Sequence, residues 1–65
     1  MIPVSLFFTS RSSHTTELGE HLFLTAPRVG EYVVAPQGVF GRVRSVSHDV
    51  IEPGSPTVSV YLEPA

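Results

Sequence analysis

The 65-residue sequence contains no cysteine, which excludes disulfide bonds, thiolate metal sites and cysteine nucleophiles. It also lacks any run of roughly 20 consecutive apolar residues, the length that a membrane-spanning helix needs. The first basic residue is Arg11 and the longest early apolar run is Leu6-Phe7-Phe8, so the sequence predicts no signal peptide. A chain of this length is expected to form one small domain, which covers residues 1–65.

Lysine is also absent, so all four basic residues are arginines, and six acidic residues outnumber them. Non-specific nucleic-acid binding depends mainly on neutralising phosphates with lysine and arginine. A chain with a net charge of −2 is therefore not expected to bind nucleic acid or to anchor on a membrane surface.

The helix formers lysine and methionine number zero and one, whereas ten valines, two isoleucines and five threonines favour β-strands. The alternation of apolar and polar residues predicts five strands. They are Ile2–Thr9, Glu20–Thr25, Val29–Val34, Phe40–Val50 and Thr57–Glu63. For the second segment a short helix over Thr16–Leu24 is the alternative, because Leu18 and Leu22 are four residues apart.

Short or polar connections join the strands, which predicts an all-β fold. We expect a five-stranded antiparallel meander that forms either a small SH3-like barrel or a strongly bent open sheet. Two connections have turn signatures, Ala35-Pro36-Gln37-Gly38 and Glu52-Pro53-Gly54-Ser55. In the fourth strand, Val43 and Val46 are three residues apart and cannot share a face of a regular strand. A β-bulge near Arg44-Ser45 is therefore predicted.

A chain of this size buries only about 60% of the surface that its unfolded form exposes, so its core is marginal. Since the sequence has no disulfide and no strong metal signature, we expect self-association to supply the missing stability. Aromatic residues fall on the face that a monomeric open sheet would keep polar: Phe7, Phe23, Tyr61 and, depending on register, Tyr32. We therefore predict a homo-oligomer, a dimer or tetramer, that uses these residues as its interface. Closure of the barrel around both faces of the first hairpin is the alternative.

Arg42 and Arg44 project from the same side of the fourth strand, with no acid between them. Two guanidinium groups at this spacing could grip a phosphate or a carboxylate. Together with His48 they form the candidate site for a small anionic ligand. The alternative is that the arginines guard an exposed edge or pair with acids on a neighbouring strand, such as Glu31 or Glu63.

The other titratable groups do not combine into a catalytic or metal site. Adjacent strand residues point to opposite faces, so His48 and Asp49 cannot form a catalytic pair directly. His14, Glu17 and His21 would share a face on a helix, whereas a strand scatters them. We therefore predict no catalytic residue, no metal site and no cofactor.

Three segments resemble a recurring style of small protein carried on bacterial mobile elements, particularly integron gene cassettes and phages. These segments are residues 27–33, 41–48 and 58–63, with the sequences PRVGEYV, GRVRSVSH and VSVYLE. The resemblance implies a bacterial, cytoplasmic, cassette-encoded protein without an assigned activity.

One strand is also similar in outline to the small plasmid- and integron-borne dihydrofolate reductases, which are tetramers of SH3-like barrels. Val58-Ser59-Val60-Tyr61 matches their Val-Gln-Ile-Tyr active-site strand, with Ser59 in place of the glutamine. The chain has no lysine to supply the basic pore of that family, so the similarity concerns architecture.

These observations predict a small oligomeric β-domain that acts as a binding or interaction module rather than as an enzyme. Two alternatives belong to other classes: an enzyme whose active site forms only between subunits, and a small nucleic-acid-binding barrel. The latter requires a basic surface with stacking aromatics, for which Arg42, Arg44, Tyr61 and Phe40 are the candidates.

Overall fold

A computed structural model describes residues 1–35, 38–50 and 56–65, and most of this part of the chain is strand. The strands are β1 (Ile2–Thr9), β2 (Thr15–Phe23), β3 (Tyr32–Val34), β4 (Phe40–Val50) and β5 (Pro56–Pro64). The predicted all-β class is confirmed, and the second segment is a strand rather than a helix. No helix in the described ranges is long and apolar enough to cross a membrane. The predicted turn at Glu52–Ser55 and the centre of the other turn, Pro36-Gln37, lie outside the described residues.

The strands form one curled, open sheet in the order β2-β1-β5-β4-β3. All neighbours pair antiparallel except β1 and β5, which run parallel. The sheet is therefore mixed, and the prediction of an antiparallel meander is wrong. Parallel pairing sets the two most regularly alternating strands side by side, with Leu6 beside Val60 and Phe8 beside Leu62. This pairing joins the first strand to the last. No local sequence pattern specifies such a long-range contact.

The core lies on the inner face of the half-barrel that the curled sheet forms. Five aliphatic side chains there are only 0–1% exposed: Val4, Leu6, Val43, Val60 and Leu62. They belong to the three central strands, where alternation brings them to one face. Burying one such side chain contributes roughly 1.5–3 kcal/mol, so the fold is most sensitive to truncation at these positions.

The predicted bulge in β4 is confirmed. The register against β5 shifts between Val43 and Ser45, which leaves Arg44 as the extra residue. Because of this insertion, Val46 packs against the core although it lies three residues after Val43.

A second bulge, which was not predicted, lies in β2. Successive residues of β1 pair with Gly19 and then Glu17, so Leu18 is the extra residue. Gly19 has a φ of +86°, which glycine adopts without strain. Beyond this bulge the alternation is reversed: Phe23 packs against the core, whereas Leu22 is 64% exposed. The prediction that Phe23 lies on the outer face is therefore wrong. The extra residue in the bulge moves the side chains that follow it to the opposite face, so Phe23 points inward.

The link between β2 and β3 is fixed to β4 by a tight turn that begins at Arg28 and ends at Glu31. The N–H of Glu31 donates to the carbonyl of Arg28 at 3.1 Å, and Gly30 has a φ of +94°, as the third residue of a type II turn requires. The N–H of Gly30 donates to the carbonyl of Val43 at 2.9 Å, and the N–H of Val43 donates to the carbonyl of Glu31 at 2.8 Å. The predicted strand Val29–Val34 is therefore shortened to its last three residues.

The half-barrel is open, because its edge strands β2 and β3 do not pair with each other. It measures 36 × 23 × 20 Å and exposes 4543 Å² of surface.

Candidate functional site

The outer face of the sheet carries two stacked aromatic pairs, and the first lies at its centre. It joins Phe7 of β1 and Tyr61 of β5, which are direct neighbours in the parallel register. Their ring centroids are 4.9 Å apart and their planes are inclined by 17°. Each ring covers part of the other, and both residues are partly buried.

The second aromatic pair lies at the β3 edge and is open to solvent. It joins Tyr32 and Phe40, with ring centroids 5.5 Å apart and planes inclined by 7°. Tyr32 is 62% exposed and Phe40 is 49% exposed. Val34, which pairs in register with Phe40, is 75% exposed. We call these three residues the edge patch.

An ion pair lies next to the edge patch. Arg42 pairs in register with Tyr32 on one side and with Glu63 on the other. Its Nη2 donates to Oε2 of Glu63 at 2.5 Å. This hydrogen bond, together with the charge of the carboxylate, raises the pKa of Arg42. Of the two acids considered as partners, Glu63 binds Arg42.

The three residues predicted to bind an anion have different surroundings. Arg42 is held by Glu63. Arg44 is exposed and forms the bulge in β4. His48 lies opposite Val58, on the inner side of the sheet, where it lines a groove to which neither arginine contributes.

The groove beside His48, which we call the inner groove, has a volume of about 660 Å³. It lies between the β2–β3 link and the second half of β4, and is lined by residues 25–29 with Glu31, Val46 and His48. Arg28 contributes a cation that the sequence had not singled out. Reading residues 28–31 as a turn with Gly30 at its third position would have placed Arg28 beside β4.

A smaller groove of about 340 Å³ lies at the open side of the half-barrel. It is lined by Phe8, Thr16, Leu18, Val39 and Phe40. Since Phe40 also belongs to the edge patch, apolar surface continues from the outer face to this opening.

The other two histidines lie apart from both grooves. His14 is exposed in the loop between β1 and β2. His21 is partly buried in β2, and its Nε2 lies 2.8 Å from the carbonyl oxygen of Leu18. Across residues 1–35, 38–50 and 56–65, no three histidine, aspartate or glutamate residues are placed to hold a metal ion together.

Comparison with protein-family models, with curated proteins and with solved structures finds no match. The two candidate sites, the edge patch and the inner groove, are therefore defined by their residues and geometry.

Proposed function

We propose that this chain is a small binding module that self-associates, with the edge patch of one copy packed on the edge patch of a second. The observation that carries this proposal is the exposure of the patch. Tyr32, Val34 and Phe40 leave 62%, 75% and 49% of their surface in solvent. Clustered surface apolar residues mark interaction sites, and aromatic residues are enriched at interfaces.

The open sheet has surface available for such a contact. A standard interface takes about 800 Å² from each partner. The edge patch and the adjoining smaller groove, which share Phe40, supply an apolar centre for an interface of this kind.

The charges beside the edge patch suit a second copy of the same chain. Arg42 and Glu63 have opposite signs and lie side by side. The pair has no net charge, so packing the edge patches of two copies together sets no uncompensated like charges against each other. The pair also provides the polar rim that commonly surrounds an apolar interface centre.

The interface proposed here is centred differently from the one that the sequence suggested. Of the four residues named there, Tyr32 belongs to the edge patch, while Phe7 and Tyr61 form the partly buried pair on the same outer face. Phe23 packs against the core and is left out of the interface.

Sedimentation velocity of the purified chain at micromolar concentration tests the proposal. We expect a species heavier than 7.1 kDa for the natural sequence. Val34→Glu should shift it to the monomer, because a charge at the centre of the interface would be buried without a partner. Leu24→Glu is the matched control, since Leu24 is 82% exposed but lies just beyond the opposite edge strand. A natural chain that sediments only as a monomer, or equal behaviour of the two variants, contradicts the proposal.

A further inference from the structure

The inner groove has a firm wall, because the link that forms one side of it is bound to β4. The two backbone hydrogen bonds between the Arg28–Glu31 turn and Val43 measure 2.9 and 2.8 Å. Within the link, Pro27 is buried. Val46, on the opposite wall, packs against the core. The groove is therefore a feature of the folded chain, and the attachments of its walls hold its shape.

The groove combines apolar walls with a guanidinium group that forms no ion pair with a described residue. Ala26, Pro27, Val29 and Val46 provide the apolar surface. Two basic side chains, at positions 28 and 48, also line it. Neither basic side chain forms an ion pair with a described residue. A ligand with one anionic group and an apolar body matches both features.

Glu31 also lines the groove, but its carboxylate is already used by the turn. Its Oε1 accepts a hydrogen bond from the backbone N–H of Arg28 at 2.6 Å. That hydrogen bond draws the carboxylate toward the backbone of its own turn. The guanidinium of Arg28 remains without a carboxylate partner among the described residues.

We propose that the inner groove binds a small organic anion with an apolar body, held by Arg28 and His48 at its charged end. Guanidinium and imidazole groups both donate hydrogen bonds to carboxylate or phosphate oxygens. The volume of about 660 Å³ lies within the range of about 300–1,000 Å³ that small-molecule sites occupy. The site goes beyond the proposed self-association, because it lies on the inner side of the sheet and shares no residue with the edge patch.

Three probes with the same phenyl body and different charge test the proposal: hydrocinnamate, its neutral amide and the cation phenethylamine. Each is titrated into isotope-labelled protein while amide NMR spectra are recorded. We expect the anion to bind most tightly, the amide more weakly and the amine most weakly. The shifted amides should be those of residues 25–31, 46 and 48. Equal binding of the amine, or shifts centred on other residues, would overturn the proposal.

Variants that replace each of the two side chains assign the binding to its residues. Arg28→Gln should weaken hydrocinnamate binding about tenfold, as the loss of a hydrogen bond to a charged group does. His48→Gln should weaken it less. Arg11→Gln removes the same charge from the exposed loop between β1 and β2 and should leave the affinity unchanged. Equal effects of the two arginine variants contradict the assignment.

The same titration in the Val34→Glu background separates this site from self-association. Binding that persists in a monomeric variant supports an intramolecular groove, whereas binding lost with dissociation contradicts it. If the natural chain proves monomeric and still binds hydrocinnamate through Arg28, only the proposal of self-association fails.

Discussion

The inner and outer faces of this sheet are built by the same strands but carry different kinds of side chain. On the inner face, five valine and leucine side chains are 0–1% exposed. On the outer face lie two stacked aromatic pairs and the ion pair between Arg42 and Glu63. The contrast shows that alternation along a strand directs one set of side chains into the core and the other set toward the outer face.

The shortest strand shows the same contrast within three residues. Val33 is 7% exposed and belongs to the core, whereas Tyr32 is 62% and Val34 is 75% exposed. Sequence neighbours of similar hydrophobicity therefore differ in their surroundings because successive side chains point to opposite faces. The core does not require apolar side chains at the edge patch, which is why we propose that a second copy covers them.

The largest effect is expected from truncating the inner face. Leu6→Ala should lower the free energy of unfolding by about 2–5 kcal/mol, because it opens a cavity at a position that is 1% exposed. Leu22→Ala makes the same chemical change at a residue that is 64% exposed on the neighbouring strand. This control should change stability by about 0.5 kcal/mol or less. Urea unfolding compares them, and similar losses would refute the separation of the two faces.

The close approach of β4 and β5 is the next most sensitive feature. A Cβ atom at Gly41 would lie 2.9 Å from the carbonyl oxygen of Glu63 and 3.0 Å from the Cβ of Leu62. Gly41→Ala should therefore destabilise the fold by about 1–3 kcal/mol, since the backbone of β5 must move. Thermal unfolding measures the change, and an unaltered midpoint would show that the strands are farther apart than described.

A smaller effect is expected from the aromatic pair at the centre of the outer face. In a double-mutant cycle of Phe7→Leu and Tyr61→Leu, the coupling energy should be about 0.5–1.5 kcal/mol. The stacked rings, with centroids 4.9 Å apart, are the cause. A cycle of Phe7→Leu with Phe40→Leu serves as the control, because those rings belong to different pairs. Equal coupling in both cycles would contradict the assignment of the pairs.

The smallest effect is expected from a substitution in a loop outside both faces, and it should raise the stability rather than lower it. Ser13, in the loop between β1 and β2, has a φ of 65°, a conformation that is strained for residues other than glycine. Ser13→Gly should therefore stabilise the chain by about 0.5–1 kcal/mol, less than the strain relieved, because glycine also gains freedom in the unfolded state. Ser12→Gly should bring no gain, and chemical unfolding of both variants distinguishes them.

Local patterns in the sequence were sufficient to predict parts of the fold. Regular alternation predicted the first and last strands, and the structure buries one set of their alternating side chains: Val4, Leu6, Val60 and Leu62. The three-residue spacing of two valines in β4 predicted the bulge near Arg44. These features depend on neighbouring residues alone, so the sequence pattern contains them.

Features that depend on distant residues were not predictable in this way. The parallel pairing of β1 and β5 leaves no local signature. In β2, Leu18 and Leu22 have the spacing of an unbulged strand, and only the positive φ of Gly19 reverses their relationship. The candidate sites follow the same rule. Tyr32 was predicted from its aromatic character. Arg28 was not predicted, because residues 29–31, which form a turn with Arg28, had been assigned to a strand.

We propose that the inner face forms the core of one chain, while the edge patch packs on a second copy. The midpoint of thermal unfolding, measured from low to high micromolar concentration of the natural chain, tests it most directly. Because unfolding of an associated species also separates its copies, the midpoint should rise with protein concentration. In Val34→Glu it should stay constant. A midpoint of the natural chain that does not depend on concentration, with a mass of 7.1 kDa throughout, would contradict the claim.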